Sequence, residues 1–403
     1  MAETDGAALY LFATDILDEG VDRVIAEATR LGLSTLAVTL AYHQARDVLP
    51  HAGDKPRIRY RRDGVFFEPN PQAWENSRIR PIEQDAELQR AAGQLLARRD
   101  DIGVESWTVF LHNTGLAERH PDLASVTCFG DAILSNLCPA NPDVAAYSAA
   151  LAGDISARGV DVIAEALSGQ TFAHGHHHER SFTPIGAGDE AILALCFCPH
   201  CESAANEAGI DVERLSAAAR VRVQRAYGGA APLPATIPAL AESLGDDLPG
   251  YLRVQQAAVT ALAERVGATV RGNGQRLSFM DLTGAVLGYG DGAPSGAPAA
   301  EQAWRLRIDP GEVALHADSY SILGYVSDPE RLAVDVASYR ELIGATPLRV
   351  ILRPGFPDTG SGEVLQAKVD AAMAAGADQV DFYNYGMYDD AVLSRIPAAL
   401  SGA

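Results

Sequence analysis

Short apolar runs alternate with longer amphipathic stretches from one end of this chain to the other, and that alternation limits the fold more than any other feature. Repeated strand–helix units build a parallel sheet, because each crossover must carry the chain back over the sheet before the next strand begins. About eight runs have strand character, at residues 9–13, 35–40, 106–111, 160–165, 277–280, 313–317, 348–352 and 379–383. Eight is the number that closes a (β/α)8 TIM barrel, and this α/β fold is the expectation. An open doubly wound sheet would place a glycine-rich phosphate loop after an early strand. Here the first run leads into Thr14-Asp15-Ile16-Leu17-Asp18-Glu19-Gly20 instead, and Gly272-Asn273-Gly274 precedes a strand.

No linker or charge run divides the series, so residues 1–403 read as one elaborated barrel with insertions at about 44–81, 113–143, 168–250 and 282–311. The first insertion is too long for a bare connector and is expected to cover something. The Gly/Pro/Ala-rich stretch 284–300 reads as a mobile loop.

Lys and Arg number 32 against 53 Asp and Glu, a formal net charge of −21 that repels phosphate backbones and anionic lipid. Nucleic-acid and membrane partners are therefore not expected. The start Met1-Ala2-Glu3-Thr4-Asp5 lacks the basic residues of a secretion signal, and a cytoplasmic location follows as the expectation. Five cysteines, three of them within six residues, suit reduced thiols or a metal better than a disulfide framework. Self-association is left open.

In a barrel of this kind the loops after the strands bound the pocket, so functional side chains gather at the carboxyl ends. The expected strand ends supply Asp15, Tyr42, His43, His112, Asn113, Glu165, Asp281, Asp318, Tyr320, Arg353, Tyr383 and Asn384. Acids with Tyr, His and Asn suit a polyhydroxylated ligand. Glycoside hydrolysis needs two carboxyl groups, one protonated to donate to the leaving oxygen and one ionised. Glu165 ends the apolar run Val160-Asp161-Val162-Ile163-Ala164, where burial would hold it protonated, and is the expected acid. An ordinary ion pair with a residue such as Arg180 is its plainer reading. Asp318 and Asp281 are the expected partners of Glu165, although each could simply cap a helix. Phe66, Phe67 and Trp74 of the first insertion could stack on sugar faces.

Two further clusters follow Glu165. His174, His176, His177, His178 and Glu179 could ligate a metal, or His177 and Glu179 could contact substrate, or the loop could be solvated. Cys196-x-Cys198-x-x-Cys201 has the spacing of a tetrahedral zinc site lacking one ligand. Cys138 is taken as the fourth ligand, with Cys128 and His200 as alternatives; such a closed site would be structural. Free buried thiols are the plainer reading.

A strand-four acid, a loop and then Cys-x-Cys-x-x-Cys running into Glu202-Ser203-Ala204-Ala205-Asn206 resembles the β-galactosidases of glycoside hydrolase family 42 and the wider group of glycoside-hydrolase-like barrels. The resemblance is local, over residues 160–202. It implies a catalytic (β/α)8 barrel, a strand-four Glu as acid/base and, in some members, a structural zinc at the cysteines. Two positions depart from the family: Ala164 precedes Glu165 where Asn is usual, and Arg353 stands where the strand-seven Glu nucleophile would be. The expected function is hydrolysis of a small glycoside, with a carbohydrate as partner and no organic cofactor. A metal-dependent sugar isomerase, epimerase or lyase, using Glu165, Asp281, His316 or Asp318 with the His loop, is the alternative. A carbohydrate-binding barrel without turnover is a third reading.

Overall fold

The computed structural model describes residues 6–52, 57–172, 182–183, 185–288, 292–294 and 296–401. Eight parallel strands close on themselves: β1 (Ala8–Leu11), β2 (Thr35–Tyr42), β3 (Gly103–Val109), β4 (Asp161–Glu165), β5 (Leu277–Asp281), β6 (Ser319–Leu323), β7 (Leu348–Leu352) and β8 (Gln379–Phe382). Each pairs with the next in the sequence, and Leu9 opposite Phe382 joins β8 back to β1. Helices between the strands cover the outside, completing a (β/α)8 TIM barrel.

Seven of the eight expected strands lie where the apolar runs put them, but the sixth does not. Residues 313 and 314 end the helix Pro310–Ala314, 315–317 follow it outside any strand, and β6 begins only at Ser319. The cause is local. Asp309 accepts the Glu312 backbone N–H at 3.3 Å as an N-cap, and Pro310 occupies the first helical turn, where its missing N–H costs nothing.

Successive strand residues alternate between the barrel interior and the helix layer. On β3 Glu105 and Trp107 turn inward, on β7 Arg349 and Ile351, and on β8 Asp381. At the amino-terminal end Arg349 reaches across the barrel and donates two hydrogen bonds of 2.7 Å to Glu105 and one of 2.9 Å to Asp381. Tyr10 and Trp107 pack edge to face above this cluster, ring centroids 5.3 Å apart.

The long excursion between β4 and β5 builds a second apolar cluster around Leu193, Phe197, Leu215, Val223 and Tyr251. A buried ion pair fastens it: Arg222 donates to both oxygens of Asp189 at 2.7 and 3.0 Å. Among the described residues no helix is long and apolar enough to cross a membrane.

Candidate active site

A cavity of about 840 Å³ opens at the carboxyl ends of the strands. Tyr10, Trp107, Glu165 and Met280 line it, with Tyr42, His43, His112, Arg353 and Tyr383 from neighbouring strand ends. Glu165 is partly buried, and the Trp107 indole N–H donates to its Oε2. Burial pushes its carboxyl up from 4.5 to about 7, with the Trp107 hydrogen bond pulling weakly the other way. Such a group keeps its proton near neutral pH and can give it up there. The chain turns sharply straight afterwards: Ala166 takes a left-handed φ of 52°, a conformation that costs a residue with a side chain about 1–3 kcal/mol and is found at functional sites.

Six of the expected site residues, Tyr42, His43, His112, Glu165, Arg353 and Tyr383, line this one cavity. The Tyr42, His43 and His112 rings stack in a row, with centroids 4.3 Å apart at each step. Arg353 lies over the Tyr325 ring, 4.1 Å from its centroid, and its Nε donates to Asp358. Asp358 in turn accepts from the buried Lys368 ammonium at 2.6 Å, so the arginine at the end of β7 is held from behind.

The other expected residues lie elsewhere. Asp318 precedes β6 at the opposite end of the barrel, where it accepts from the Leu277 backbone N–H at 2.8 Å and from Arg271 at 3.4 Å. Asp281 ends β5 but points into the helix layer; its oxygens accept from the Thr283 N–H and hydroxyl and from the hydroxyls of Tyr320 and Tyr339, all within 3.0 Å. The register explains this placement, because Met280 is paired with Glu165 and faces inward, which turns Asp281 out. Neither aspartate can act beside Glu165, and Tyr320 is buried with Asp281. Asn113 caps the helix Thr114–Arg119 through a 3.0 Å bond from the Leu116 N–H. Asn384 is buried and accepts from the Gly386 N–H at 3.0 Å.

Asp15 is buried, accepting from the Phe12 N–H at 2.8 Å, and burial raises its carboxyl to about 7. Gly386 makes that packing possible, since a Cβ there would come within 2.2 Å of Asp15. Phe66, Phe67 and Trp74 are core residues: the Trp74 indole donates to Asp154 at 2.9 Å, and Arg158 covers Phe67. His177, Glu179 and the rest of the His loop lie outside the described residues.

Trp107, Tyr325, Tyr388, Asp47, Glu190 and Arg305 also line the cavity and were not singled out in the sequence. Trp107 was findable, since it shares its strand face with Glu105 two residues away. Asp47 and Glu190 arrive on insertions, where no period marks the inward face. Asp47 is bound to Arg61. Glu190 rides on the helix Ala187–Leu193, which the Asp189–Arg222 pair anchors.

Behind that helix the Sγ atoms of Cys138, Cys196, Cys198 and Cys201 lie within 4.8 Å of one another, all buried. Cys138 is 3.6, 3.7 and 3.5 Å from Cys201, Cys196 and Cys198. Sulfurs about 2.3 Å from a central zinc at tetrahedral angles are about 3.8 Å apart, so the four thiols fit such an ion. The Val126 N–H donates to the Cys196 sulfur at 3.4 Å, and the buried Arg307 guanidinium holds the Ala194 carbonyl at 2.7 Å. Cys128 belongs to the second apolar cluster instead.

No family model and no curated protein matches the chain. Solved structures do. The catalytic domain of a β-amylase from Paenibacillus polymyxa matches with a TM-score of 0.54 and 10% identity, covering 100% of this chain and 99% of that one. A β-galactosidase from Bacillus circulans sp. alkalophilus matches at 0.52 and 13%, over 98% of this chain and 55% of its own. An α-L-fucosidase, isoenzyme 2 from Paenibacillus thiaminolyticus, matches at 0.51 and 10%, over 98% and 49%. This chain thus spans about half the length of the last two. At these identities the likeness is one of fold.

Proposed function

We propose that this protein is a glycoside hydrolase acting on a small glycoside, with Glu165 as the group that protonates the leaving oxygen. The carrying observation is the state of that carboxyl: set at the carboxyl end of β4 in an aromatic-lined cavity, hydrogen-bonded by Trp107 and raised to about 7. A proton donor of this kind is what cleavage of a glycosidic bond requires. The fold neighbours support the reading, being a β-amylase, a β-galactosidase and an α-L-fucosidase. Tyr42, His43, His112, Tyr383 and Arg353 would contact the sugar.

Arg353 at the end of β7 leaves the second carboxylate to the insertions. Of the described carboxylates lining the cavity, Asp47 is bound to Arg61 and Glu190 rides on the helix Ala187–Leu193 that follows β4; Glu190 is assigned as the base or nucleophile. The four thiols are assigned a structural zinc: all four positions of the ion would be filled by sulfur, which leaves none for substrate. The ion would tie the segment after the Glu190 helix to the loop carrying Cys138.

The test is turnover of a panel of aryl α- and β-glycosides by the protein and its Glu165→Gln variant, with folding of both checked by circular dichroism. Cleavage lost about 10²- to 10⁴-fold in a folded variant is the expected result. Equal turnover by both would remove Glu165 from the chemistry. For the thiols, zinc content near one equivalent by elemental analysis is expected, with a lower melting temperature after chelation.

A further inference from the structure

The mouth of the cavity carries apolar side chains that neither the core nor a sugar's hydroxyls can use. A two-stranded hairpin, Ala45–Val48 paired with Ile58–Arg61, stands there. Opposed residues of such a pair share a face. One face is pinned down: Asp47 pairs with Arg61, Arg59 with Asp18, and the Arg61 guanidinium sits 3.4 Å over the Phe12 ring. The other face presents Val48, Ile58 and Tyr60, which are 64, 57 and 78% exposed, together with Arg46. All four residues of the first strand, Ala45 to Val48, line the cavity, so the hairpin stands at its edge, with Ile58 and Tyr60 on the strand paired to it.

Phe356, in the loop after β7, lines the same mouth and is 83% exposed. Its carbonyl accepts from the Tyr388 hydroxyl at 2.7 Å, which fixes the loop that presents it. Deeper in, Met280, Leu282, Leu323 and Ile351 alternate with the aromatic rings. These side chains offer sugar hydroxyls no hydrogen bonds and favour a ligand that carries an apolar part beside its sugar.

We infer that the rim formed by Val48, Ile58, Tyr60 and Phe356 is a subsite for an aromatic leaving group, making aryl glycosides the substrate class. The inference rests on the reading of Glu165 as proton donor. Tyr60 and Phe356 offer ring faces, and Arg46 stands opposite Tyr60 in the hairpin register, where its guanidinium can stack on an aromatic ring and attract negative charge developing on a phenolic oxygen. In the reaction the bond between the anomeric carbon and the aryl oxygen breaks, its electron pair staying on that oxygen, which takes the Glu165 proton. Water supplies the hydroxyl to the anomeric carbon; with Glu190 as nucleophile the water's remaining proton goes to Glu165, and with Glu190 as base it goes to Glu190 and leaves to solvent as Glu165 takes a proton back from solvent. Glycoside and water thus give sugar and phenol.

Binding separates this inference from the chemistry, because aryl and methyl glycosides differ in leaving-group reactivity as well as in fit. The probes are the 4-nitrophenyl and methyl glycosides of β-D-galactose, β-D-glucose and α-L-fucose, titrated by calorimetry into the Glu165→Gln protein. At least one aryl glycoside is expected to bind tenfold or more tightly than its methyl counterpart. Added Tyr60→Ala or Phe356→Ala changes should each reduce that ratio about two- to tenfold and leave the methyl glycoside unaffected. Both side chains are exposed, so these variants should fold. Equal affinities, a preference that survives both changes, or no binding of any aryl glycoside would overturn the subsite. An aryl preference in binding without turnover by the wild-type protein would keep the subsite and sink the hydrolase reading. Turnover without the preference would do the reverse.

Discussion

At the amino-terminal end of the barrel Glu105 and Asp381 share the Arg349 guanidinium, while at the carboxyl-terminal end Glu165 has an indole N–H for a partner. All three carboxyls project into the same barrel, within a few residues of each other along their strands. The cation makes the difference. The guanidinium ties Glu105 and Asp381 into one bonded cluster that locks strands together, whereas Glu165, buried with only a neutral donor, holds its proton. The lower cluster fastens β3, β7 and β8, leaving the upper carboxyl poised for proton transfer.

Four changes would break or sharpen that contrast. The largest effect is expected from Glu165→Gln, a loss of about 10²- to 10⁴-fold in turnover with no loss of melting temperature, measured by kinetics and thermal unfolding. Arg349→Met should do the opposite. It strands Glu105 and Asp381 in the interior and should cost about 3–5 kcal/mol in denaturant unfolding, while the binding of an aryl glycoside is retained in the fraction that folds.

The third is a pH effect. The folded protein holds the Glu165 proton up to about 7, whereas the unfolded chain releases it near 4.5. Between those values the folded state binds more protons, so stability is full below about 4.5 and falls as the pH rises through 7, by up to about 3 kcal/mol. Glu165→Gln should flatten that part of the stability profile; Asp15 contributes equally to both proteins and cancels in the comparison. In the wild type, kcat/KM should decline above about pH 7 as the donor loses its proton. The smallest effect is that of Trp107→Phe, which removes the hydrogen bond favouring the ionised form. The alkaline limb of the rate profile should move to higher pH by less than about one unit, and an unmoved limb would detach Trp107 from the titration.

Period and spacing made the barrel legible in the sequence. Seven strands could be placed from apolar runs, and the strand alternation that brings Glu165 inward is local information. So is Cys-x-Cys-x-x-Cys, whose three thiols converge because six residues cannot separate them far. Asp281 shows where this reading fails. It stands at a strand end just as Glu165 does, but inward or outward is decided by the register of β5 against β4, and one residue of offset put Met280 in the cavity instead. Asp318 failed for a different reason, a capped helix mistaken for a strand, which placed it at the wrong end of the barrel.

Glu190, Asp47, Arg305 and the exposed face of the hairpin came from insertions whose sequence has no period to follow, and only packing against distant elements brought them to the mouth. The same holds for Cys138, brought from 58 residues away to complete the thiol cluster, and for Arg349, which meets Glu105 across 244 residues. The chain by itself determined seven of the strands, the barrel they build and the presence of an acid and a thiol cluster, because those depend on neighbours along the backbone. Which carboxyl keeps its proton was decided by the tertiary structure alone, because a pKa depends on burial and nearby charge, and both are set by residues far apart in sequence.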